Sequence, residues 1–367
     1  MVATGYKQSL FWGDEDGAYG SADAVDSSIG LVQSVNPTET NNLIKVRTLG
    51  GDRDYSNIVP GKFEVSGGFE YFLQDGAFLR QAIGEDTSST ATIDSGPQFH
   101  TGAATYLHVM GSANSPEPDN FPSFTLELTD AEDTGAYSTT GNLKRKYNGC
   151  RVNNLSISGA VDTPLSVNCD WIAQGVIVST AAASSVTQNT DDPYVFYQGW
   201  IYATTGTIGA YTDMDSTSAI AEVNSFDFSV NNNLEAGWYV SGTTATTQDL
   251  RGLKHLIPKG RDYDGSLDLH FKDKTMYQRF LGAAAATRSS ATLTSYKVVL
   301  DFVRTGVIAA AASARTANDD WIRILLNNCK FDTMNITGAP EDLVSESIGL
   351  AIESAIVYVV DAISSYS

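Results

Sequence analysis

Four histidines, three cysteines and a surplus of carboxylates are the groups of this chain that could ligate a metal, carry a proton or attack a substrate. Their spacing argues against all three. His100, His108, His255 and His270 share no metal-ligand spacing with one another or with a cysteine. The acidic stretches "GDEDG" (Gly13 to Gly17) and "DMD" (Asp213 to Asp215) could each offer oxygens to calcium, but neither runs on into the glycine and terminal glutamate that a calcium loop requires. They read as solvated acidic loops. No phosphate loop, nucleophile elbow or H-E-x-x-H pattern occurs. Cys150, Cys169 and Cys329 form no C-x-x-C pair, and an odd number so widely spread reads as free, buried thiols. The reading is of a non-enzyme, with no cofactor, metal or catalytic residue assigned.

The bulk properties narrow the class further. Acidic residues outnumber basic ones 43 to 23, for a formal charge of −20, and no run of Lys or Arg makes a basic groove. Tight binding to nucleic acid through its phosphates is therefore not expected. A mean hydropathy of −0.14 and the lack of any eighteen-residue apolar run argue against a membrane-spanning helix. The start, "MVATGYKQSLFWGDEDG", has no basic stretch leading into an apolar one, so no secretory signal is read. At 367 residues, the chain exceeds the size at which one core usually stops growing, and two domains are expected.

What must position any functional surface is a repeat. "NGCRVNNLSISGA" from Asn148 returns as "NNCKFDTMNITGA" from Asn327, with Asn148/Asn327, Cys150/Cys329, Ile157/Ile336, Gly159/Gly338 and Ala160/Ala339 identical. "IVPGKFEVSGGFEYFLQDGAFLRQAIG" (Ile58 to Gly84) aligns without a gap on "LIPKGRDYDGSLDLHFKDKTMYQRFLG" (Leu256 to Gly282), and "NNL" at Asn41 recurs at Asn232. The three blocks keep their order, and the loops between them differ in length.

Each block has a readable form. Phe63, Val65, Phe69 and Tyr71 share one parity and Glu64, Ser66 and Glu70 the other, the period of a strand with one buried face. "QDGAFLRQAIG" then turns helical, with Asp75 placed to cap it and Gly84 to close it. Leu155 and Ile157 alternate with Asn154, Ser156 and Ser158, and Leu165, Val167, Cys169 and Trp171 with Ser166, Asn168 and Asp170. Residues 84–102 read as a long polar loop, and the alanine-rich stretch from Ile308 as a short helix or a loop. The expected fold class is mainly β: two tandem β-sandwich or partial-barrel domains, each with a short flanking α-helix. The expected division is an N-terminal arm over 1–36, a first domain over 37–178, a small polar linker over 179–193 and a second domain over 194–367.

The strand "VPGKFEVSGGFEYF", its short helix and the strand "YNGCRVNNLSISG", echoed by "FDFSVNNNLEAGWYV", "GSLDLHF" and "NNCKFDTMNITG", resemble the tail tube proteins of long-tailed bacteriophages and archaeal viruses. The resemblance covers somewhat under half of the chain and rests on strand patterns. It implies a structural virion protein, made in the host cytoplasm and located in the tail, whose rings stack into a conduit for the genome. Two fused tube-type domains imply that three chains close a pseudo-hexameric ring, with other tail proteins at the tube ends and viral DNA passing without adhering. On that reading the polar parity faces the channel: Glu64, Ser66, Glu70, Asn154, Ser156 and Ser158 from the first copy, and Asp262, Asp264, Asp268, Thr333, Asn335 and Thr337 from the second. Phe11 and Trp12, isolated aromatics in the Gly-, Ser- and Asp-rich arm, become candidates for stacking on the adjoining ring. The competing readings are a tail hub or terminator protein of related fold, and a β-rich adhesin or glycan-binding module using Trp200, Tyr202 and Tyr211 as stacking platforms.

Overall fold

The structure, a computed structural model, describes residues 8–15, 19–50, 53–84, 86–90, 106–111, 121–130, 142–181, 183–209, 220, 222–239, 251–304, 320–340, 343–361, 363–364 and 366. The first part of the chain contributes β1 (Gln8–Asp14), β2 (Ser27–Ser28), β3 (Leu31–Thr40), β4 (Ile44–Val46), β5 (Asn57–Val59) and β6 (Glu64–Phe72). A 3-10 turn (Ala77–Leu79) leads into α1 (Arg80–Ile83), followed by β7 (Asp86–Thr90), β8 (Tyr106–Gly111), β9 (Phe124–Asp130), β10 (Leu143–Ala160), β11 (Ser166–Ala173) and β12 (Gly175–Ser179). The remainder contributes β13 (Gly199–Thr204), β14 (Val223–Asn231), β15 (Glu235–Gly237), β16 (His255–Ile257), β17 (Asp262–His270), α2 (Thr275–Leu281), β18 (Tyr296–Val303), β19 (Trp321–Thr337), β20 (Ser345–Ile352) and β21 (Ser354–Asp361).

One pairing scheme occurs twice. β3 pairs with β6, β6 with β11 and β11 with β10; β14 pairs with β17, β17 with β20 and β20 with β19. The hairpin β4–β5 has its counterpart in β15–β16. Because β10 also pairs with β14, the two sets join in one antiparallel run of eight strands, β3-β6-β11-β10-β14-β17-β20-β19. Among the described strands this run does not return on itself. Among the described strands, β3 pairs only with β6, and the Lys330–Thr337 half of β19 only with β20.

The repeated "NGC" and "NNC" mark where a long strand changes sheet. β10 pairs with β9 and β12 up to residue 150 and with β11 and β14 beyond it; β19 pairs with β18 and β21 up to residue 329 and with β20 beyond. Each ladder is bulged at the change, and the residue before each cysteine has positive φ, 61° at Gly149 and 51° at Asn328. Glycine and asparagine are the types that accept this left-handed backbone most readily. Behind the kink each cysteine is buried, with its thiol directed at the carbonyl three residues earlier (3.3 Å to Tyr147 O and to Leu326 O). Burial pushes the Cys329 thiol up to about 12 and that of Cys150 well above its ordinary range. These thiols are packing groups.

A continuous core fills the space behind the eight-stranded run. Val65, Phe69 and Tyr71 of β6 meet Phe78, Leu79 and Ile83 of the helical turn, and Phe78 packs edge-on against Trp12, Phe69 and Phe124. Asp75 caps the turn as expected, its Oδ1 accepting the Ala77 amide proton at 3.0 Å, and Gly84 closes α1 with φ of 116°. Burial raises the Asp75 carboxyl above the usual range.

Three expectations need correction. The described part of the segment expected as an arm over 1–36 is built into the sheets: Gln8–Asp14 pair with β9 along their whole length, and Leu31–Thr40 pair with β6. Phe11 and Trp12 are 5% and 1% exposed, so they are core residues of their own chain and cannot reach an adjoining ring. The polar loop over 84–102 contains a strand, Asp86–Thr90, paired with β8, which in turn extends the sheet of β21. The alanine-rich stretch lies outside the described residues.

The segment 179–193 has irregular backbone beyond β12 but fixed partners. Glu127, fully buried, accepts the Ser184 amide and hydroxyl protons at 2.7 and 2.8 Å and faces Lys144 Nζ at 2.9 Å. Asn189 donates to Asp75 at 2.7 Å, and Asp191 pairs with Arg304 at 2.8 Å. Loss of the Glu127 bonds costs about 1–3 kcal/mol of local closure. Glu127→Ala should therefore raise the protease-accessible population around Ser184 roughly 5- to 150-fold. Limited proteolysis with mass mapping of the cuts reads this directly; an unchanged cleavage rate would show that Glu127 does not hold the segment.

Candidate functional site: a polar sheet face with two open edges

All twelve residues of the polar parity lie on one face of the eight-stranded run. Ser156 stands opposite Asn168 on one side and Ser229 on the other; Asn168 stands opposite Glu70, and Ser229 opposite Asp264. The neighbouring rows carry Asn154, Asn231 and Asp262, and Ser158, Asp227, Ser266, Gly349 and Thr333. Asp268, Ser347 and Asn335 form a further row, then His270, Ser345 and Thr337. Glu64 and Ser66 face the same way, opposite Thr40 and Thr38 of β3. The reverse face carries Val65, Tyr71, Leu155, Ile157, Phe228 and Leu267 into the core. Alternation along β strands forces this division, since successive side chains point to opposite faces.

The face is acidic and hydrated in character. Asp262, Asp264 and Asp268 are exposed, and Asp170 and Asp227 join them from β11 and β14. Asp170 was readable from its strand's alternation; Asp227 required the register of β10 on β14. Lys330 enters at the β19 edge, opposite Ala351. Short polar partners hold the acids: Ser166 Oγ donates to Glu70 at 2.8 Å, Ser225 Oγ to Asp268 at 3.0 Å and Asn233 Nδ2 to Asp262 at 2.7 Å. Glu64 accepts from Lys62 at 2.5 Å and from Asn42 at 2.6 Å, and the lysine bond holds its carboxyl below the usual range.

Elsewhere the chemistry-bearing residues are fasteners. His108 is buried, stacks on Tyr366 with centroids 3.7 Å apart and lies 3.3 Å from Asp361. Asp14 binds Arg80 and Gln81, and Glu15 accepts the Gly149 amide proton at 2.6 Å. Tyr202 is 3% exposed and cannot serve as a stacking platform. His100, Tyr211 and Asp213 to Asp215 lie outside the described residues. Among the described residues no cluster of His, Cys, Asp and Glu could hold a metal, and no helix is long and apolar enough to cross a membrane.

A β-rich chain with a one-sided polar sheet and an apolar back, whose eight-stranded run ends in two strands unpaired among the described residues, offers edges to which a further strand could add. The family model for the phage tail tube protein matches residues 5–350, and the chain belongs to that family, whose members are structural components of the virion tail that assemble with other tail subunits. No curated protein matched the sequence.

Proposed function

We propose that this chain is the major subunit of a tail tube, that three copies close each ring, and that the polar face lines the channel through which the genome leaves. The observation that carries this reading is the β10–β14 ladder. It already joins the first set of strands (β3, β6, β11 and β10) to the second (β14, β17, β20 and β19), and it does so through the repeat-equivalents of the two open edges. Residues of β19 lie 179 positions after their β10 counterparts, and residues of β3 lie 191 before those of β14. Transferring the ladder gives Thr333 opposite Thr40, Asn335 opposite Thr38 and Thr337 opposite Asn36 of the next chain. The polar face then continues unbroken across the seam. Three chains contribute six equivalent sheet segments and leave neither end of the eight-stranded run exposed.

DNA carries one negative charge per roughly 1.7 Å of axis, so an acidic, hydroxyl-rich wall repels it and offers nothing to grip. Glu70, Asp264 and Asp268 test this; Glu64 and Asp262 sit at the ends of their strands in other bonds and are left intact. Converting those three to Lys should preserve tubes by electron microscopy and slow genome ejection several-fold, more at low salt, because screening shortens to about 10 Å at 0.1 M. Normal ejection kinetics from well-formed mutant tubes would overturn the lumen assignment. Single rings that never stack would instead favour a hub or terminator role.

A further inference from the structure

We infer that the β4–β5 hairpin of each chain seats in a groove on the second half of the next chain, with Arg47 meeting Asp262 and Arg53 binding the backbone carbonyl of Lys259. This rests on the ring reading above, and its occupant is a second copy of the chain.

The template is inside the molecule. The β15–β16 hairpin reaches back over the first half, where Arg251 donates from Nε to Gly61 O at 2.6 Å and from Nη2 to Asn41 O and Oδ1 at 3.2 and 2.8 Å. The Arg251 carbonyl accepts the Phe63 amide proton at 2.9 Å, and Trp238 lies under the Lys62 ammonium, 4.2 Å from its ring centroid. Leu253 and Leu256 of this hairpin are 2% and 1% exposed.

The first hairpin has the same parts left exposed, with its own Lys45 and Arg47 lying over the Tyr55 ring, 5.3 and 4.4 Å from the centroid. Within the gap-free block Ile58 corresponds to Leu256; carrying its offset of 198 a few residues upstream sets Arg53 against Arg251 and Tyr55 against Leu253, and the offset of 191 sets Arg47 against Trp238. Tyr55 and Ile58 are 44% and 52% exposed, and Leu43 and Ile44 beside them 56% and 54%. Apolar side chains gathered in this way on one small hairpin mark an interaction surface.

The second half, in turn, has the receiving groove. A cavity of about 570 Å³ is lined by Asn233, Leu234, Lys259, Gly260 and Asp262 with the adjacent Asn153 and Asn231. Asn233, Lys259, Gly260 and Asp262 are the counterparts of Asn42, Gly61, Lys62 and Glu64, of which Gly61 and Lys62 touch the seated hairpin. The charges are arranged differently at the two places. In the seated contact the groove presents Lys62 to the aromatic Trp238 of the hairpin. At the open site Gly260 replaces that lysine, the groove's own Lys259 is drawn to Glu235 at 2.5 Å, the acid Asp262 is kept, and the hairpin supplies the cation Arg47. Such a difference gives the seam its own partner preference and disfavours confusion with the internal junction.

The test uses the full chain in assembled rings. Arg53→Cys combined with Lys259→Cys, oxidised with copper phenanthroline, should give covalent dimers and trimers on a non-reducing gel, and Arg53→Cys with Asp264→Cys should give none. Separately, Arg47→Asp should lower ring yield at least tenfold by mass photometry, and adding Asp262→Arg should restore it. Rings visible by electron microscopy without cross-linking, or without rescue, overturn the hairpin seat and leave the ring standing. A wild-type chain that forms no rings overturns both.

Discussion

Chains carrying Glu39→Pro are expected to fold and to fail at ring closure. Asn232 donates its backbone N–H to Asn153 O across the internal junction. Its counterpart is Asn41, and in a strand every second amide points the same way, so the N–H groups of Glu39 and Val35 point out of the free edge of β3. Pro37 occupies the same parity, where edge strands tolerate proline. A second proline at 39 therefore spares the β3–β6 ladder and removes a donor from the seam. It also sets a ring Cδ against the incoming strand. An orphaned acceptor costs about 1–3 kcal/mol at each of three seams, enough to lower ring yield by orders of magnitude. Mass photometry at matched concentration, with far-UV circular dichroism and a melting curve for the isolated chain, separates closure from folding. Normal rings would exclude β3 as the closing edge.

Asp301→Ala should be the most damaging single change to the fold itself. Asp301 and Arg323 face each other across β18 and β19, with Nε to Oδ1 at 2.7 Å and Nη2 to Oδ2 at 2.8 Å, both residues nearly inaccessible. The guanidinium also donates to Gly209 O at 2.8 Å and lies over the Trp321 ring, 4.8 Å from its centroid. Deleting the carboxylate breaks this buried ion pair, which costs about 3–5 kcal/mol. The double variant Asp301→Leu with Arg323→Met removes both charges and should recover most of that loss. Urea titration of the monomeric chain measures both; a single-variant loss below about 1 kcal/mol would refute the argument.

The parts of this fold that were legible in the sequence are those where one strand faces water on one side. Glu64 to Phe72 and Ser166 to Ala173 announce themselves by alternation, and the polar face followed from their outward parity once the repeat was seen. β1 hid because Leu10, Phe11, Trp12 and Gly13 are all buried in succession, and a strand covered on both faces has no period of two. The pinned segment around Ser184 was illegible for another reason: its bonds reach Glu127 and Asp75, distant in sequence, and composition carries no trace of such partners. The free edges were equally silent, since an edge is a property of pairing, not of residue type.

The kinks at Gly149 and Asn328 have a mechanical meaning. Through them β10 and β19 run without interruption from the eight-stranded run into the sheets behind it. Two layers held together only by side-chain packing can slide over each other when a wall is bent. Two layers crossed by the same covalent backbone cannot, and they flex as one plate, much as webs make a beam of two flanges. On the ring reading proposed above, a tube built from such walls would take up curvature along its axis between rings rather than within them, and each ring would keep its bore while the tail bends.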